Sequence, residues 1–196
     1  MNIKNALKLA FLGVIGFGLL VYLTAPPKPK PQNTNTNKEL TYNTTPDYVE
    51  IIGENNYVKR EDYLKKSEPS YIVILNHDAL AVFDKLDEYT NKNILFVANI
   101  SSAPWLIKKL AVDKELEKLY SKSEYKIIND SSGDFVNSLG LKDTRQNSYN
   151  IYKVTKEGKI VKFFAEKKKK NALQEGITKE EKEAILLDVV GKLNKF

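Results

Sequence analysis

The chain has 196 residues, 42% hydrophobic and 29% charged, the profile of an ordinary globular domain with a small attachment and not of a disordered or collagenous polymer. It contains no cysteine, which excludes thiolate nucleophiles, disulfide exchange, iron–sulfur clusters and thiolate zinc sites whatever the fold. The net charge of +6, from 31 basic and 25 acidic residues, is intermixed along most of the sequence, which favours a solvated surface over a nucleic-acid footprint.

From Leu9 to Ala25 there is no charged residue. Extended back across Lys8 to Ala6, the stretch is about 20 residues, or about 30 Å as a helix, enough to span a bilayer. Residues 1–5 are then a cytoplasmic tip, and residues 6–25 a transmembrane signal anchor that meets membrane lipid. Lys8 can reach the head groups at one end and Tyr22 the opposite interface. Cleavage is disfavoured, because Leu23-Thr24-Ala25 puts a bulky residue where the cleavage motif wants a small one, and Pro26 follows. Long domains translocate largely regardless of flanking charge. The expected location is therefore a bacterial inner membrane, single-pass, with the C-terminal domain in the periplasm. Residues 26–47, rich in Pro and then Asn/Thr, read as an extended linker. The folded domain is expected over 48–196.

In that domain, Tyr48–Ile52 and Tyr57-Val58 flank Gly53-Glu54-Asn55-Asn56, a short hairpin. A helical turn over Arg60–Lys66 follows. Tyr71–Leu75 is a continuous apolar run, the pattern of a strand buried on both faces, and Asp78 can cap a helix carrying Val82, Phe83 and Leu86. A second buried strand, Ile94–Ala98, leads into Ser101-Ser102-Ala103-Pro104, where proline suits the first turn of a helix carrying Val112, Leu116, Leu119 and Tyr120. A strand at Tyr125–Ile128 precedes a short helix around Phe135 and Leu139, closed by Gly140. Tyr149–Val154 and Ile160–Phe164 surround Lys156-Glu157-Gly158 as a second hairpin. The basic run Lys167–Lys170 reads as a surface loop, with attraction to anionic lipid head groups as its functional alternative. The last helix opens on a Thr178/Glu181 capping box and buries Ile185, Val189 and Leu193. The class is α/β: a mixed central sheet with helices on both faces, preceded by a short β-hairpin and a single transmembrane helix.

That element order, with ILFVANISSAPWLIKKL, INDSSGDFVNSLGL and YKVTKEGKIV, resembles the thioredoxin-like superfamily across roughly Pro69 to Leu193. The family's CxPC motif follows the second strand. Placing Pro104 on the motif proline puts Ser102 and Trp105 on the two cysteine positions, so both are empty. The family's cis-proline before the last hairpin has its counterpart in Gln146-Asn147-Ser148-Tyr149, which lacks proline. A second register, closer to membrane-tethered thioredoxin-like proteins and peroxiredoxins, places the motif at Asn76-His77-Asp78-Ala79 and makes Ser101–Ser123 an insertion. Either register implies a site inert in redox chemistry.

His77 is the only histidine and no HExxH or spaced cluster completes a metal site around it. No metal ligand, cofactor or catalytic residue is assigned. The resemblance places the third strand between the first two, which would hold His77 and Ser102 about 10 Å apart, beyond reach of a dyad. The surface at Ser102, Pro104, Trp105 and Tyr149 is the candidate protein interface. The expected function is a non-catalytic scaffold, chaperone or assembly factor for an envelope protein complex. The enzyme alternative is a thiol-binding transferase or peroxidase relative using Ser102 or His77. No nucleic-acid partner is expected.

Overall fold

The elements follow from where apolar runs meet breakers. The computed structural model describes residues 39–54, 56–102, 113–142, 145–168, 170 and 172–195. The anchor at 6–25 and most of the linker lie outside the described residues, and no described helix is long and apolar enough to cross a membrane.

Strands β1 (Tyr48–Glu50) and β2 (Tyr57–Lys59) form the expected hairpin, its turn carrying Gly53 at φ 83°, a left-handed conformation that favours glycine. Helix α1 (Arg60–Tyr63) follows. Strand β3 (Ser70–Asn76) is buried along its whole length, and helix α2 (Leu80–Phe83) comes after a 3-10 turn at His77–Ala79. Strand β4 is Ile94–Asn99 and helix α3 Asp113–Tyr120. Strand β5 (Ile127–Asn129) leads to helix α4 (Asp134–Ser138). Strands β6 (Ser148–Val154) and β7 (Ile160–Lys167) make the second hairpin. Helices α5 (Ala172–Glu175) and α6 (Lys179–Asn194) close the described chain, α6 with the expected Thr178/Glu181 capping box.

The sheet order is β5-β4-β3-β6-β7. Strands β3, β4 and β5 are parallel, while β6 runs antiparallel to both β3 and β7. This corrects the expected order: β3 and β4 pair directly, Tyr71 opposite Ile94 and Asn76 opposite Asn99, with no strand between them. Both runs are apolar on both faces, as two neighbouring interior strands require.

Strand parity sorts the core into two layers. Val73, Leu75, Phe96, Tyr149 and Ile151 face Leu80, Phe83, Leu116, Tyr120, Leu186, Val189 and Leu193. Ile72, Ile74, Leu95, Val97 and Tyr152 face Tyr63, Leu64, Phe135, Val136, Leu139 and the β1 residues Val49 and Ile51. Helices thus cover both faces. In α6 the most deeply buried position of its second turn is Leu186, with the expected Ile185 only partly buried.

Two further expectations change. The linker ends earlier than residue 47: the Tyr42 N–H donates to Gly158 O at 2.7 Å and the Ile160 N–H to Leu40 O at 2.8 Å. Thr45 is buried, and the Arg60 guanidinium donates to its carbonyl at 2.6 Å. Residues from Leu40 onward therefore belong to the domain. Asp78 does not cap α2, whose N-cap position is Ala79 with no side-chain cap bond, because a 3-10 turn intervenes after β3 and carries Asp78 inside it.

Candidate functional site

The three strands that meet in the middle of the sheet each place a polar side chain at one end. Asn76 ends β3, Asn99 ends β4 and Ser148 begins the antiparallel β6, so all three lie at the same edge. Parity puts them on one face, continuing the rows Ile72–Ile74 and Leu95–Val97. There they bond to one another. Asn99 Nδ2 donates to Asn76 Oδ1 at 2.7 Å. Asn76 Nδ2 donates to Ser148 Oγ at 2.7 Å and to Arg145 O at 2.8 Å. Ser101 Oγ donates to Asn99 Oδ1 at 2.8 Å, and Ser148 Oγ to Arg145 O at 2.9 Å. Asn76, Asn99 and Ser148 are all buried, where an unpaired amide would cost about 1–3 kcal/mol. The network stitches β4, β3 and β6 together with neutral groups.

The turn after β3 meets the turn before β6, since the Asp78 N–H donates to Gln146 O at 2.9 Å. The stretch matched to the family's cis-proline thus adjoins Asn76-His77-Asp78, the motif position of the second register. No cis peptide bond occurs among the described residues. His77 Nδ1 lies 3.3 Å from Asp78 Oδ1, the imidazole partly exposed and the carboxylate buried. Because β3 and β4 are adjacent, strand separation no longer keeps His77 from Ser102. Among the described residues the imidazole's polar contact is nevertheless with Asp78, and no hydrogen bond joins it to Ser102.

Of the four expected interface residues, Ser102 is exposed, and Pro104 and Trp105 lie outside the described residues. Tyr149 is a correction. It is fully buried, its ring 4.9 Å from Phe83 and 6.0 Å from Phe164 between centroids, so it offers no surface to a partner. Its hydroxyl donates to Glu166 Oε2 at 3.0 Å, and burial, with the neighbouring Glu166 carboxylate, drives the phenol's pKa strongly upward. Glu166 also accepts from Lys168 at 3.0 Å and from Lys192, which in turn meets Asp188 at 2.8 Å. Burial pushes the Glu166 carboxyl up, but the hydrogen bonds from Lys192, Lys168 and Tyr149 outweigh it and hold the pKa at about 2. Lys168, expected in a solvated basic loop, is instead mostly buried in this cluster, which fastens α6 to β7. Lys167 and Lys170 remain exposed.

Asp130, one residue past β5, is a second buried acid. Its two carboxylate oxygens accept the Phe135 and Val136 N–H groups, both at 3.0 Å, so it caps α4. Burial raises its pKa, and those backbone donors pull it only part of the way back down. Among the described residues no group of three or more His, Asp or Glu could hold a metal ion.

The amide network was not among the sequence candidates. The signal available was positional: two apolar runs each end in asparagine, ILN and VAN.

No family model matches the chain, and no curated protein matches it. Among solved structures, the chain is similar to an uncharacterised thioredoxin-like protein from Porphyromonas gingivalis, at 16% identity and TM-score 0.41 over 79% of this chain and 95% of that one. It is also similar to Enterococcus faecalis AhpC, at 14% identity and TM-score 0.43 over 80% and 94%. A third is MTB DsbF, at 12% and 0.39 over 72% and 98%. The fold itself is thioredoxin-like: parallel β3 and β4, the antiparallel pair β6 and β7, a closing helix and helices on both faces, without a cysteine anywhere in the sequence.

Proposed function

We propose that the chain is a membrane-tethered thioredoxin-like binding module with no thiol chemistry, acting as a scaffold, chaperone or assembly factor for an envelope protein complex. The observation that carries this reading is the amide network. In the register at Asn76-His77-Asp78, the loop that would hold a reactive cysteine is closed by neutral amides and hydroxyls bonded to one another, leaving it available as a rigid shape for recognition. Exposed Ser102 lies beside it in the loop after β4, and the partner would dock on that edge. The stretch at 6–25 would supply the tether.

The test uses the full-length protein in its own membrane, with a photocrosslinker at Ser102. A discrete envelope-protein adduct is expected, weakened at least about tenfold by Trp105→Ala, since an aromatic at the centre of an interface commonly supplies ~2 kcal/mol or more. Recovery unaffected by that substitution would place the binding face elsewhere. Peroxide consumption or glutathione transfer above a boiled control would instead establish the enzyme reading.

A further inference from the structure

Strand β7 stands at one edge of the sheet, and among the described residues only its start is covered on the open side. There the chain that leads into the first hairpin runs antiparallel to it. Thr41 bridges Lys159, the Ile160 N–H donates to Leu40 O at 2.8 Å, and Glu39 forms an ion pair with Lys159 at 2.8 Å. Glu39 lies two residues from Thr41, so it is the diagonal neighbour of Lys159 in that register, and diagonal neighbours share a face. The antiparallel course therefore holds as far back as the first described residue.

Beyond Ile160 the open side of β7 has no strand partner among the described residues. Successive residues of an antiparallel strand turn their backbone groups alternately to its two sides, so after Ile160 the outward set continues at Lys162. The pairing with β6 then slips by one, from Tyr152 opposite Lys162 to Ile151 opposite Phe164. That makes Phe163 a bulge residue and moves the outward set to Ala165 and Lys167. The Lys168 N–H, donating inward to Asn147 O at 2.8 Å, fixes the same phase. Val161 is 53% exposed, and Phe163 and Phe164 are only partly buried. Native proteins usually cover or block an open edge of this length.

We propose that residues 33–38, which lie outside the described residues, cover this edge as a further strand of the sheet, antiparallel to β7. Continued from Leu40 opposite Ile160, the register sets Lys38 opposite Lys162 and, past the bulge, Thr36 opposite Ala165 and Thr34 opposite Lys167. The sequence suits that place. Asn33-Thr34-Asn35-Thr36-Asn37 alternates strictly, with a β-branched residue at every second position. Pro26, Pro27, Pro29 and Pro31, which could not donate to a ladder, all fall before it. Because the segment is joined to Leu40, its pairing is intramolecular and outcompetes a separate chain of equal affinity. One contact is adverse, Lys38 against Lys162. Lys167 at the end of β7 pairs with Ser148, so the new strand would carry the chain to the end of the sheet that holds Asn76, Asn99 and Ser148. If the tether proposed above holds, the docking edge then faces the membrane; the strand itself does not rest on that reading.

The experiment follows amide hydrogen exchange by NMR in the full-length protein in detergent micelles. The outward N–H groups of Lys162, Ala165 and Lys167 should be protected. Replacing residues 33–37 by Gly-Ser-Gly-Ser-Gly should speed their exchange at least about tenfold and leave the inward N–H groups of Phe164 and Glu166 unchanged. Thr36→Pro, which removes one donor from the new ladder, should expose Ala165 in the same way. Lys162→Glu should slow the exchange of Ala165, because it turns the adverse contact with Lys38 into a favourable one. A nitroxide on Thr36→Cys, the sole cysteine of that variant, should broaden the Phe164 and Ala165 signals of its own molecule. In a mixture of isotope-labelled wild type with unlabelled nitroxide-bearing protein, no such broadening is expected. Broadening across the mixture would put a second copy on the edge and overturn the proposal. So would outward amides that exchange freely in the wild type, or protection that survives the Gly-Ser replacement and so belongs to another occupant.

Discussion

The two ends of strand β3 treat their polar side chains in opposite ways. Where β3 and β4 finish, Asn76, Asn99 and Ser148 face one another and answer each other's hydrogen-bonding groups. Where β3 begins, Ser70 is as deeply buried but its hydroxyl has no hydrogen-bond partner among the described residues. A satisfied network contributes rigidity, whereas an unsatisfied buried group contributes little to the fold. The predictions below test that contrast by stability.

The largest effect is expected at the finished end. Asn76→Ala removes the acceptor of Asn99 and a donor to both Ser148 and the Arg145 carbonyl, leaving several buried groups unanswered at once. A loss of about 3 kcal/mol is expected in urea unfolding. A loss under about 1 kcal/mol would mean that the network is not a stabilising unit and that the contrast between the ends fails.

Next is Asp130→Ala. Both carboxylate oxygens serve N–H groups of α4, and Phe135 and Val136 are themselves core residues of the layer beneath the amide row. Loss of this cap should cost about 2 kcal/mol, the upper end for such residues because the site is buried. Asp130→Asn, which keeps an acceptor, should recover part of it.

A smaller, pH-dependent effect is expected at the β7 edge. The Glu166 carboxyl is lowered from its ordinary 4.5 to about 2 in the folded chain, so the unfolded state binds the proton more readily. Stability from this group is therefore fully present above about pH 4.5 and is lost as the pH falls toward 2. With a side chain 31% exposed, solvent screening reduces the contribution to about 1 kcal/mol. The difference in stability between the wild type and Glu166→Gln should shrink across that interval.

Much of this architecture was legible in the sequence because burial writes itself as pattern. YIVIL and ILFVA could only be interior strands, and Thr178 with Glu181 marked the start of α6 by capping chemistry. Strand order was not legible: both runs are apolar on both faces, so neither carries a sign of which neighbour it pairs with, and the register that places the family motif after β4 supplied the wrong order. Tyr149 was misread for a related reason. A tyrosine at a strand end is compatible with an interface or a core, and only the later Glu166, Lys168 and Lys192, distant in sequence, show that its hydroxyl has a partner inside. The early end of the linker was hidden because Leu40 and Tyr42 are held by backbone bonds to the Gly158 turn, which no local composition reveals.

The smallest stability change should come from Ser70→Ala, and it is the sharpest test of the contrast. Ser70 and Asn76 stand at opposite ends of one strand and are almost equally buried, at 3% and 2% exposure. If burial alone decided the outcome, truncating either would be costly. But the Ser70 hydroxyl gives up its hydration on folding and gains no bond in return among the described residues, so removing it relieves a desolvation cost and leaves no other described group unpaired. The cavity term is also slight, since only one oxygen atom is lost. The unliganded protein should therefore be unchanged or more stable by up to about 1 kcal/mol in the same urea experiment that registers Asn76→Ala. A loss of about 2 kcal/mol would show that the hydroxyl is bonded within the folded chain, in which case the two ends of β3 are alike.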